Sequence, residues 1–419
     1  MKKYLILILL LASFSTGFLL ASENKGTEGG YFIGSSSDEF LQKETSISAN
    51  STVPVNASAV ASQNMKERNN EMKIPILHIT DLYNPPQDPD DHIDLATVIA
   101  LKEYDLKGVV LDVTQKFIEG APAGFDIPRD PGFVAVAQLG YLTGRSIPVA
   151  MGPTYPLRSA DDAALDRSLR EQAGIKLVLN VLQNSSQPVV ISVVGSARVL
   201  TAAYNRNPEV VRAKTRMVLL NAGSTTVTHR EWNVNLDTAA YIGLWRSGLP
   251  IRWYPCATER GAFASANERG TYFKASHEIL FKGLPQPLRA WFSYSFNGNG
   301  RGDFIRALSE LGEGSVWQNL LSAQRNMWAT ASLVMATGRV LGRTAKGWRF
   351  ISASSPDIIE IWPWRLDPIK ASVNDQGDVH WQIDNRDSQA QIFGRRGGVE
   401  FGAAMGEALN ALLISIPVQ

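Results

Sequence analysis

The sequence predicts an α/β fold: a single large domain with a mostly parallel sheet, helices on both faces, and a helical C-terminal part with a small β-hairpin. Three observations predict it. Short apolar runs such as Ile74-Pro-Ile-Leu-His-Ile-Thr80 and Pro188-Val-Val-Ile-Ser-Val-Val194 are continuous rather than alternating, as in strands buried on both faces. These runs alternate with helix-period segments, the pattern of βαβ units. The composition, 44% hydrophobic and 19% charged over 419 residues, is that of a globular chain with enough apolar surface for a large core.

The N-terminus is set apart. Lys2 and Lys3 precede an apolar run from Tyr4 to Ala21, with small residues at Ala21 and Ser22. This order reads as a secretory signal over residues 1–21, and so as export to a periplasm or the exterior, in preference to a single membrane anchor. Residues 22–72 are rich in Ser, Asn, Thr, Gly and Glu, the composition of a flexible leader. The folded domain is expected over 73–419. Lys and Arg total 41 against 40 Asp and Glu, so no basic excess points to nucleic acid. No later segment is apolar enough to cross a bilayer, so no membrane partner is expected after signal cleavage. The single cysteine, Cys256, excludes an internal disulfide framework and reads as a buried small hydrophobe.

Within the domain the expected order begins with strand 74–80, a helix from Ile93 to Leu101, and strand Gly108–Val113. A helix over 133–142 and strand 147–151 follow, then helix 169–182 and strand 188–194. The last units are helix 196–204, strand 215–220, helix 237–246 and strand 250–254. Beyond about residue 260 the chain turns helical and Trp-rich, with one long or two short helices over 316–341. A hairpin over 366–395 is expected to turn at Gln376-Gly377, and a terminal helix spans 403–413. In a parallel sheet, ligands sit beyond the carboxyl ends of the strands. The loops after Ile79, Val113, Val194, Leu220 and Tyr254 are therefore the places to look for chemistry.

The loop after the first strand carries the strongest signal. Asp81, Asp88, Asp90 and Asp91 lie within eleven residues. Carboxylates so close repel, and a hard divalent cation relieves the conflict. Oxygen ligation without clustered His or Cys suits calcium or magnesium. The competing reading is a solvated helix N-terminus, where Asp is also favoured.

The residues resemble a known family at this point. Strand, Asp, loop, Pro89-Asp-Asp91 and an apolar helix are similar to the Asp-x-Asp-Pro-Gly-x-Asp-Asp opening of the inosine–uridine-type nucleoside hydrolases. Three stretches follow in order: Val194-Gly-Ser-Ala-Arg-Val-Leu-Thr-Ala-Ala203, Val218-Leu-Leu-Asn-Ala-Gly223, and Glu231-Trp-Asn-Val-Asn-Leu-Asp237. The resemblance covers about residues 74–419. It implies hydrolysis of an N-glycosidic bond in a nucleoside or related sugar compound, one calcium ion, a small-molecule substrate and a homo-oligomer.

Residue by residue, the resemblance implies Asp81 as metal ligand and base for the attacking water, with Asp88 the alternative. It implies Asp91 and the Val194 carbonyl as further ligands, and Asp90, Glu231 and Asn233 on the sugar. Gln115 falls at a sugar-contacting position by ungapped counting. The late His-Asp-Pro is replaced by Arg325-Asn326-Met327, leaving Asn326 as a neutral candidate ligand. Eight residues separate Asp81 from Asp90, a longer loop than the resembled motif has. His229 is a candidate acid for the leaving group, or a solvated loop residue. Trp232, Trp253, Tyr254 and Trp328 are candidates for stacking on a ring, or for the core. A surface role is expected for His92. A non-catalytic sugar-binding module on the same fold, and a hydrolase of a different glycoside, are the competing functions.

Overall fold

The computed structural model describes residues 73–84, 89–119, 129–296, 303–386 and 389–419, without the side chain of Lys116. The expected signal, the leader and Asp88 lie outside these residues.

The apolar runs form strands as their patterns dictate: β1 (Ile74–Thr80), β2 (Tyr104–Leu111), β3 (Val149–Met151), β4 (Val189–Val194), β5 (Thr215–Asn221) and β6 (Ile251–Trp253). All six pair in parallel in the order β3-β2-β1-β4-β5-β6. Side chains alternate between two cores. Ile76, Val190 and Leu219 enter one, while Leu77, Ile79, Val189, Ile191, Val193 and Leu220 enter the other.

Helices cover both faces. They include α1 (Asp90–Ala100), the short α2 (Gln115–Ile118), α3 (Phe133–Thr143), α4 (Leu169–Asn184), α5 (Arg198–Arg206), α6 (Pro208–Lys214), α7 (Trp232–Leu236) and α8 (Thr238–Arg246). The chain runs outward from β1 to β3 and then returns to place β4 on the other side of β1. The carboxyl ends of β1 and β4 therefore flank a topological switch point, where an open α/β sheet leaves a crevice.

The C-terminal part departs from expectation. Of the one long or two short helices expected over 316–341, the chain forms two short ones, Gly314–Leu321 and Thr330–Met335, but with strand Gln324–Met327 between them and strand Arg339–Thr344 after them. Gln324–Met327 pairs antiparallel with Phe273–Ser276, a long-range partner that overrides the local helical spacing. Gly338, at φ +82°, ends the second helix where an L side chain would be strained. Arg339–Thr344 pairs with Gly347–Ser352 and Glu360–Ile361 in a separate three-stranded sheet.

The hairpin is present as Trp364–Val373 against Val379–Ile383, with Gly377 at φ +85° in its turn. A further strand, Ala390–Arg395, pairs with both Trp364–Val373 and β6, so the hairpin extends the main sheet to nine strands. The terminal helix spans Glu400–Ile414. Among the described residues no helix is long and apolar enough to cross a membrane.

Candidate active site at the switch point of the sheet

Two carboxyls meet where β1 ends and α1 begins. Thr80, the last residue of β1, donates its hydroxyl to Asp91 Oδ1 at 2.5 Å. Asp91 in turn shares a hydrogen bond with Asp81. Burial, then the repulsion of neighbouring carboxylates, pushes both well above the usual carboxylate range. The loop after β4 packs directly on them. Gly195 has φ +107°, and a Cβ there would lie 2.8 Å from Asp81 Cγ, so only glycine allows the approach.

A buried ionic cluster sits behind Asp81. Asp112, just past β2, accepts from Ser196 Oγ at 2.9 Å and lies 3.8 Å from the Arg198 guanidinium. Burial pushes Asp112 up to about 6 despite Arg198. Arg198 is fully buried. It donates to Asp237 Oδ2 (3.0 Å) and the Pro153 carbonyl (2.7 Å), and more distantly to Thr114 Oγ1 and the Leu236 carbonyl. One guanidinium thus ties the segments following β2, β3, β4 and α7. Asp112 and Arg198 were not singled out from the sequence. Asp112 ends an apolar strand and Arg198 opens a helix, and nothing local marks them as partners.

The facing side is built from α7. Glu231 caps this helix, accepting from the backbone N–H groups of Asn233 (3.0 Å), Val234 (3.3 Å) and, across the loop, Gly223 (2.8 Å). Burial raises its pKa, and these bonds draw it back. Asn233 donates its amide to the Asn221 carbonyl at 3.1 Å. Asn221 ends β5 beside Val194. Its own amide is spent on the Val193 and Leu219 carbonyls, leaving a buried Oδ1 with no partner among the described residues. Asn221 was missed as a site residue, although it stands at a strand's carboxyl end, where the topology rule points.

These groups line one cavity of about 460 Å³. Asp81, Asp90, Asp91, Val194, His229, Glu231, Trp232 and Asn233 all face it, as do Asn221 and Cys256. Two aromatic groups form its walls. Tyr83 and Phe117 stack at 5.5 Å, with Trp232 6.0 Å from Phe117, and Phe263 and Trp328 meet at 5.6 Å. Burial and the nearby Glu231 push the Cys256 thiol upward, so it is a protonated wall group and not a nucleophile.

Other expected residues lie elsewhere. Gln115 opens α2 with its N–H on the Thr154 carbonyl, and it borders a separate groove with Arg129 and Glu171. Asn326 does not face the cavity, and its Oδ1 accepts from the Tyr272 hydroxyl at 2.9 Å. Its neighbour Arg325 donates to His277 Nε2 at 3.3 Å. Trp253 and Tyr254 belong to the core. His92 is not at the surface: it is fully buried against Trp291 and Phe296, because α1 is covered by helix Gln286–Phe296 on that side.

Among the described residues no group of three or more His, Cys, Asp or Glu side chains is arranged to hold one ion. The donor chemistry nevertheless suits a hard cation. The lining oxygens are carboxyl, backbone carbonyl and amide, and Asp81, Asp90 and Asp91 crowd negative charge that a cation would relieve.

The chain matches no protein-family model and no curated protein. Among solved structures it is similar to a purine-preferring ribonucleoside hydrolase from Gardnerella vaginalis, at 12% identity over 81% of this chain and 99% of that one, with a TM-score of 0.45. It is also similar to an inosine-uridine preferring nucleoside hydrolase from Bacillus anthracis (11%, 82% and 100%, 0.43). A third is the type III effector protein XopQ in complex with adenosine diphosphate ribose (14%, 87% and 100%, 0.44). Likenesses at this level carry nothing about chemistry, which rests on the side chains of this chain.

Proposed function

We propose that this chain is an exported hydrolase that cleaves the N-glycosidic bond of a ribonucleoside or related sugar compound. The observation that carries the reading is the gathering of Asp81, Asp90 and Asp91 at the switch point in one cavity with Glu231 and Asn233. Bond cleavage at an anomeric carbon builds oxocarbenium-like charge, which carboxylates stabilise. Asp81 takes the proton of the attacking water as its oxygen bonds to the anomeric carbon. Asp90 and Glu231 lie against the developing positive charge, and Asn233 orients sugar hydroxyls. His229, at the cavity's edge, protonates the departing nitrogen of a neutral base.

Asp81, Asp91 and the Val194 carbonyl are the groups that would hold a calcium ion, with Asp88 a further candidate. Such an ion, when bound, lowers the pKa of a water and orients it.

The test is release of reducing sugar by the purified chain from a panel of N-ribosides, with other glycosides as controls. Release from ribosides supports the reading, and release only from other glycosides redirects it. A second reading, a non-catalytic sugar-binding module, is favoured by Arg325 and Asn326 facing away from the cavity. Sugar binding without turnover of any compound selects it.

A further inference from the structure

We infer that Asn326 and Tyr272 are positioning residues: the hydrogen bond between them fixes one aromatic wall of the cavity, Phe263 and Trp328, against which a planar part of the ligand lies. The inference rests on the N-glycosidase reading for the use of this cavity, and goes beyond it in naming what sets the wall.

A two-stranded ribbon carries that wall. Phe273–Ser276 pairs antiparallel with Gln324–Met327, with Phe273 opposite Met327 and Lys274 opposite Asn326. Continued by one residue, this register sets Tyr272 opposite Trp328. Residues two apart on a strand share a face, so Asn326 and Trp328 point to the same side and Tyr272 is the diagonal neighbour of Asn326. The side chains meet accordingly. The Tyr272 hydroxyl donates to Asn326 Oδ1 at 2.9 Å, and the Tyr272 ring lies 5.5 Å from that of Trp328.

Tyr272 joins the two wall residues. Its ring packs edge-on to Phe263 at 5.7 Å, and Phe263 meets Trp328 at 5.6 Å, so the three rings close a triangle. Trp328 Nε1 donates to the Ala262 carbonyl at 3.1 Å, which ties the loop carrying Phe263 to the same ribbon. Phe263 and Trp328 line the cavity, whereas Tyr272 and Asn326 stand behind them. Phe263 is 65% exposed and Tyr272 only 5%. The exposed ring is thus set by a buried one, whose hydroxyl is held by Asn326. The amide oxygen that the sequence offered as a cation ligand is engaged in this bond.

The attraction between aromatic rings depends on their offset and tilt. A wall whose rings can tilt therefore holds a planar ligand less tightly. The sugar-side groups Asp90, Glu231 and Asn233 belong to α1 and to the start of α7, so their contacts do not depend on the ribbon.

Calorimetric titration of the purified chain with two probes tests this: adenine, a neutral planar ring, and ribose, a sugar without one. Tyr272→Phe, which removes one hydroxyl, and Asn326→Ala are each expected to weaken adenine binding about fivefold, the scale of one hydrogen bond, and to leave ribose binding unchanged. The double variant is expected to match either single one, since both remove the same bond. Asn326→Asp keeps an acceptor for the hydroxyl and is expected to bind adenine within about twofold of the native chain. Native-like adenine binding in Tyr272→Phe and Asn326→Ala overturns the inference. So do losses that multiply in the double variant, a loss in Asn326→Asp as large as in Asn326→Ala, an equal loss for ribose, or a native chain that binds no adenine. None of these readouts needs turnover, so sugar release from the N-riboside panel decides the N-glycosidase reading separately.

Discussion

Asp94 shows how the site is embedded. It lies one turn beyond Asp90 and Asp91 on α1, fully buried, and neither carboxyl oxygen has a hydrogen-bond partner among the described residues. Burial pushes it up to about 8 from an ordinary 3.8. Between about pH 4 and pH 8 the folded chain therefore keeps a proton that the unfolded chain has lost. Stability attributable to Asp94 is thus greatest in acid and declines as pH rises through that window. Asp94→Asn is expected to flatten the fall of Tm with pH and to raise Tm at about pH 8; an unchanged pH slope in thermal unfolding contradicts this. The cluster of Asp81, Asp90 and Asp91 was legible in its spacing, whereas Glu231 and Asn233 were reached through the resemblance of the Glu231-Trp-Asn233 segment to a known family. Asn221 and His92 were not legible, since their roles depend on which element covers them.

At the scale of elements, loop β4–α5 is the critical approach. Gly195→Ala adds a methyl at an unfavourable φ and against Asp81, so kcat on whatever riboside is turned over is expected to fall at least about tenfold. Gly338→Ala serves as the control. It shares the positive φ, but a Cβ there meets nothing within 4 Å, so it is expected to cost about 1 kcal/mol of stability and no activity. Equal activity losses in the two variants would sink the assignment of Gly195 to the site. The parallel strands were legible because burial on both faces writes a continuous apolar run. Gln324–Met327 was hidden because Gln-Arg-Asn-Met has no strand pattern and acquires its state from Phe273–Ser276. The hairpin turn was legible in Gln376-Gly377, whereas its joining to the main sheet through Ala390–Arg395 depends on β6, far away in sequence.

Over the whole molecule, one side chain gathers the carboxyl edge. Arg198 holds Asp112, Pro153, Leu236 and Asp237 at once, from full burial. Arg198→Met leaves two buried carboxylates uncompensated, and a loss of about 3–5 kcal/mol in chemical denaturation is expected. A loss below about 1 kcal/mol would show that the cluster is not a clamp. The strand order that creates the switch point follows from the β–α alternation only once pairing is known, so the crevice could be anticipated but not assembled from sequence. The account's central claim is that Asp81, at the tip of β1, takes the proton of a water attacking a sugar carbon. Sugar release from the N-riboside panel by the native chain and by Asp81→Asn, with equal folding verified by circular dichroism, tests it most directly. The native chain should release sugar and the variant should do so at least about 100-fold more slowly; a variant as active as the native chain, or a native chain that releases none, would contradict it.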